Sequence, residues 1–77
     1  MSVEELLNQM LAEIPKMRSN ESFLVKDLFR GYEWARISKE DREALGEAFS
    51  AKVDAELDAV VMKWDRTSSN QQKYRIR

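Results

Sequence analysis

"VVMKWDRTSSNQQKYRIR", residues 60–77, decides how this chain is read. Val60, Met62 and Trp64 alternate with Val61, Lys63 and Asp65, and Gln72, Tyr74 and Ile76 alternate with Lys73, Arg75 and Arg77. A period of two is that of a strand, because successive side chains point to opposite faces. The polar run between them, "RTSSNQ", is turn chemistry. The pattern predicts a β-hairpin over residues 59–65 and 71–77, with Trp64, Tyr74 and Ile76 turned to a core and the basic residues to water. A lone hairpin is marginal in water, so helices must cover its apolar face.

Upstream the period changes to three and four. Leu45, Ala48, Phe49, Val53 and Leu57 share one face of a helix expected over 39–57, and Arg42, Glu43, Glu47, Ser50 and Asp54 share the other. Ser38 is its N-cap, with Asp41 in a partial capping box. Gly46 costs about 1 kcal/mol relative to alanine inside a helix, which points to a close helix contact there. The first helix, expected over 2–17, carries Val3, Leu6, Leu7, Met10, Leu11, Ile14 and Met17 in one stripe. Ser2 caps it, and Pro15 weakens its last turn.

Between these helices lies "ESFLVKDLFRGYEWARIS", residues 21–38, with four of the chain's seven aromatics. Residues 23–25 read as a short strand leading into a helix over 26–31, closed by Gly31. "YEWARI" is a further helical turn or an ordered loop. Base-stacking aromatics come with basic, exposed neighbours. Here Lys26, Arg30 and Arg36 are balanced by Glu21, Asp27 and Glu33. The stretch therefore reads as core, with Phe23, Val25, Leu28 and Phe29 inward and Tyr32 or Trp34 partly exposed.

The order helix, short strand, helix, helix, strand, turn, strand is that of a winged helix-turn-helix. The fold class is α+β, mostly helical, in one domain of 77 residues. The short strand is placed to pair along the hairpin's edge in a three-stranded sheet. A three-helix bundle with a loose tail is the competitor, and the alternation near the C-terminus argues against it.

Composition excludes several chemistries. A chain this short buries about 60% of its unfolded surface, and small domains compensate with disulfides, metals or partners. Without cysteine or histidine there is no disulfide and no imidazole or thiolate zinc site. Gly31 and Gly46 lie too far apart for a phosphate loop. Glu33 beside Trp34 is either a half-buried acid with a raised pKa or the partner of a nearby cation. The expectation is a non-enzymatic protein without cofactor or metal. "MSVEELLNQM" has no basic and no apolar region of the kind a secretion signal needs, so none is expected, and the longest apolar run, "AVVM", is far short of a membrane span. A cytoplasmic, soluble protein is expected.

The net charge of −1 hides an asymmetry. Residues 1–60 hold eight basic and thirteen acidic side chains, whereas residues 61–77 hold five basic ones against Asp65 alone. Cations neutralising phosphates dominate DNA affinity. The candidate contacts to double-stranded DNA are therefore Lys63, Arg66, Lys73, Arg75 and Arg77 on the wing, with Lys39 and Arg42 at the start of the helix that a helix-turn-helix inserts in the major groove. From Lys39 to Asp58 that helix balances to −4, so it is poorly suited to lie along a groove. Binding through the wing, as a dimer, is one reading. The alternative is a protein-interaction module, or a phage-type inhibitor, using Glu43, Glu47 and Asp54 as substitutes for DNA phosphates. A solvated hairpin that merely happens to be basic is the plainest account.

The string Phe23, Val25, Lys26, Asp27, Leu28, Phe29, Gly31, Glu33, Trp34, followed by Arg42, Leu45, Gly46 and Phe49, resembles a family of short bacterial and phage-associated proteins of unknown function. The pattern "F-x-V-K-D-L-F-x-G-x-E-W" then "R-x-x-L-G-x-x-F" carries the resemblance over about residues 21–53, with an echo at "NQQKYR". It supports a winged-helix-like fold and implies no catalytic residues.

Overall fold

The computed structural model describes residues 2–68 and 71–77. Ser69 and Asn70, placed in the hairpin turn by their polarity, lie outside the described residues.

Helix α1 runs Val3–Glu13, where the Ser2 hydroxyl accepts the Glu5 N–H at 3.1 Å. Leu6 and Met10 are buried from its inner stripe, and Ile14 follows. The helix stops short of the expected residue 17. Pro15 removes a backbone donor, and the chain tightens into a 3₁₀ turn at Ile14–Lys16.

Strand β1 is only Ser22–Phe23. The expectation of a strand over 23–25 fails because the Asp27 carboxylate accepts the Leu24 N–H at 2.9 Å. That bond starts a 3₁₀ turn, Val25–Leu28, where a helix over 26–31 was expected. Gly31 opens helix α2, Gly31–Ala35, instead of closing a helix. Neither glycine has the positive φ of a helix C-cap, and Glu33 reaches back to accept the Arg30 N–H at 3.3 Å. "YEWARI" is thus the further helical turn.

Helix α3, Lys39–Lys52, begins where the Ser38 hydroxyl accepts the Asp41 N–H at 3.2 Å, and continues as a π turn at Val53–Leu57. Leu45, Phe49 and Val53 are buried. The close contact expected at Gly46 is absent, since a Cβ there would meet nothing within 4 Å.

Strands β2 (Val61–Arg66) and β3 (Gln72–Ile76) form the hairpin. β1 adds to the other side of β3, giving an antiparallel sheet in the order β1–β3–β2. Tyr74 faces Phe23 on one side and Lys63 on the other, and Val61 faces Ile76. The Phe49 ring meets Tyr74 edge-on at 4.9 Å and Phe23 at 6.2 Å, while Phe23 stacks on Tyr74 at 5.7 Å. These three rings fasten the sheet to α3, in the edge and offset geometries that aromatic quadrupoles favour.

Strand β2 corrects the inward assignment of Trp64. Val61 is fully buried, so by alternation Met62 and Trp64 point to the outer face, and Trp64 is 42% exposed. "VVM" is apolar in both phases. Only the cross-strand partner Ile76 selects the one that buries Val61.

Candidate nucleic-acid interface

The outward face of α3, the hairpin and the segment Leu24–Lys26 enclose an open groove of about 970 Å³. Turn-by-turn spacing along α3 places Lys39, Glu43, Gly46, Glu47, Ser50 and Asp54 on its helical wall. The hairpin supplies Lys63, Arg66, Gln72 and the edge of Tyr74, and the 3₁₀ turn after β1 supplies Lys26. Cations and carboxylates named for opposite readings of the sequence therefore share one groove.

They are not equally available. Lys63 Nζ lies 3.0 Å from the Asp54 carboxylate, a pairing that joins hairpin to helix. Arg42 packs its guanidinium 4.9 Å from the Trp34 ring centroid and donates to the Trp34 carbonyl at 2.7 Å. Arg77 leaves the groove altogether and pairs with Asp58 at 3.5 Å beyond the end of α3. Glu43 and Glu47 make no ion pair among the described residues. Tyr74 is buried, and that desolvation holds its phenol above the usual tyrosine pKa, partly offset by a hydrogen bond with Ser50.

Lys73 and Arg75 point the other way, onto the outer face of the sheet. The Arg75 guanidinium sits 4.8 Å from the Trp64 ring centroid. A bulge between Lys63 and Arg66 inserts one extra residue opposite β3, so Trp64 and Asp65 both face Lys73. The seven cations named from the sequence are thus divided. Lys39, Arg42, Lys63 and Arg66 line the groove, Lys73 and Arg75 lie on the outer sheet face, and Arg77 is apart.

Two members were not legible beforehand. Lys26 enters the groove because the turn at Asp27 bends the chain towards α3. Trp64 joins Arg75 because of the strand's phase. The doubly apolar "VVM" was the signal that the phase needed a tertiary arbiter.

Among the described residues, no group of three or more His, Cys, Asp or Glu is arranged to hold a metal ion. Nor is any described helix long and apolar enough to cross a membrane.

The protein is a small α+β domain in which α3 packs through Phe49 on Phe23 and Tyr74 of a three-stranded antiparallel sheet. Residues 8–75 match the family described as Domain of unknown function (DUF1413), and the chain belongs to that family. No curated protein and no solved structure matches it.

Proposed function

We propose that this is a winged helix-turn-helix protein without enzymatic activity that binds DNA mainly through its C-terminal hairpin. The observation that carries the reading is the position of β1. It pairs with β3, so the hairpin is anchored beside α3 as a wing would be, and Lys63 and Arg66 of the hairpin line one groove with Lys39 of that helix. Lys26, Lys39 and Arg66 meet phosphates from the groove side, and Lys73 and Arg75 from the outer face. The carboxylates of Glu43 and Glu47 keep the length of α3 out of the major groove. The contact is therefore backbone-directed and salt-sensitive rather than a deep base readout.

The test is fluorescence anisotropy of a short labelled duplex against salt. The logarithm of the affinity should fall linearly with the logarithm of salt, and Arg66→Ala should lower that slope by about one. No binding to duplex at low salt overturns the reading.

A second reading has its own support. Glu43 and Glu47, which make no ion pair among the described residues, stand on the groove wall with Asp54 beyond them on the same face, as an acidic surface for a basic protein partner. This is the arrangement of an interaction module or a phage-type inhibitor that presents carboxylates in place of phosphates. A partner pulled down equally well after Glu43, Glu47 and Asp54 are changed to Lys would dispose of it.

A further inference from the structure

Trp64 is a large apolar ring that the fold leaves out. It is 42% exposed, on the face of the sheet turned away from the core, while Phe23, Phe49 and Tyr74 fill the other face. One side of its ring is occupied by Arg75 at 4.8 Å. Lys73 stands opposite it across the bulge and makes no ion pair among the described residues. The only carboxylate of the hairpin, Asp65, is exposed on the same bulge. The bulge also widens the strand at this point, and the Gln72 amide ties it down by donating to the Trp64 carbonyl.

We propose that Trp64, with Arg75 and Lys73, is a stacking site for an unpaired base, so that the preferred ligand is DNA with a single-stranded segment beside a duplex. This rests on the DNA-binding reading above and specifies the substrate of its wing. An exposed indole offers a π-face that accepts any base, and flanking cations track the phosphates on either side of it. Arg75 holds the ring in a fixed orientation through the cation–π contact, which lowers the cost of ordering it when a base arrives. A base inside an intact duplex has no face free to stack on it. Groove-side cations then hold the duplex while the outer face takes the unpaired extension.

The experiment compares three labelled probes at low salt: a duplex, an oligothymidylate strand, and the same duplex with a single-stranded extension. Wild-type protein should bind the extended duplex most tightly, and the strand should quench tryptophan fluorescence. Trp64→Leu should lose about five- to hundred-fold in affinity for the strand and leave duplex binding unchanged. Trp64→Phe keeps a π-face, so it should retain most strand affinity while losing the quenching. Lys73→Glu, which removes nothing from the core, should weaken strand binding by about ten-fold or more. Equal strand affinity of wild type and Trp64→Leu, or no preference for the extended duplex, overturns the inference and leaves the DNA-binding reading standing if duplex is still bound. Failure of every probe at low salt overturns both. Should Trp64→Leu fail to fold, the Phe and Lys73→Glu variants decide the matter alone.

Discussion

Arg42, in the first turns of α3, lays its guanidinium 4.9 Å from the Trp34 ring centroid in α2 and donates to the Trp34 carbonyl at 2.7 Å. This pair sets how the two helices meet. It also withdraws from the surface a residue that the charge pattern had offered to DNA. Arg42→Ala should destabilise the fold by about 1–3 kcal/mol in urea unfolding, because it removes both a charge-assisted hydrogen bond and a stacked cation. Arg42→Lys should recover little, since an ammonium lacks the planar fork. Duplex affinity measured well below the unfolding transition should change little.

Asp54 restrains Lys63 across the groove at 3.0 Å, and the carboxylate is largely exposed. Exposed pairs contribute about 1 kcal/mol or less, so Asp54→Asn should barely move the melting temperature. Its effect on binding should be larger, because it frees one cation and removes one negative charge. Duplex affinity at low salt should rise and its salt dependence steepen. If instead a protein partner is lost and duplex affinity stays flat, the acidic-face reading gains the ground that the wing loses.

Gly46 occupies an interior turn of α3 with open space where a Cβ would stand. Gly46→Ala should therefore stabilise the protein by about 0.4–1 kcal/mol through the lost flexibility of the unfolded chain. Thermal unfolding should show a rise of a few degrees, on the order of 2–8 °C. A fall would mean that the groove wall does not tolerate a methyl group, contrary to the geometry.

Tyr74 titrates with a sign that can be stated in advance. Burial raises its folded-state pKa above the ordinary value of 10.0. The stability tied to its neutral phenol is thus complete below that ordinary value and is lost as pH rises through the folded one. Wild type should lose stability above about pH 10 more steeply than Tyr74→Phe. Absorbance of ionised tyrosine should show Tyr74 ionising above the ordinary tyrosine range. Equal alkaline slopes for both proteins would contradict the assignment.

The stripes of α1 and α3, the Ser2 and Ser38 caps, and the third strand added to the hairpin were legible in the sequence because each follows from local spacing or local hydrogen bonding. The inward set Phe23, Phe29, Leu45, Phe49, Tyr74 and Ile76 followed from the same periodicity. The segment 24–35 was harder. Gly31 looks like a helix stop by type, yet its φ lies in the ordinary range, and the Glu33 carboxylate makes the residue before it a helix start. The Asp27 carboxylate likewise converts the end of a strand into a turn. Both are side-chain-to-backbone bonds that compete with regular structure, and apolar periodicity does not register them.

What the sequence determined by itself is therefore the class: two amphipathic helices, a short strand, a hairpin, and a basic C-terminal end. Only the tertiary structure decided which face each strand residue shows and which charges remain available. Val60 and Val61 are alternatives for the core as far as hydropathy goes. Pairing Val61 with Ile76 over the buried face settles the phase and sends Trp64 outward to Arg75. Likewise, Lys63 and Arg77 count as wing cations until Asp54 and Asp58, distant in the chain, arrive beside them. Charge and apolarity belong to residues, but burial and pairing belong to neighbours that the chain brings together only on folding.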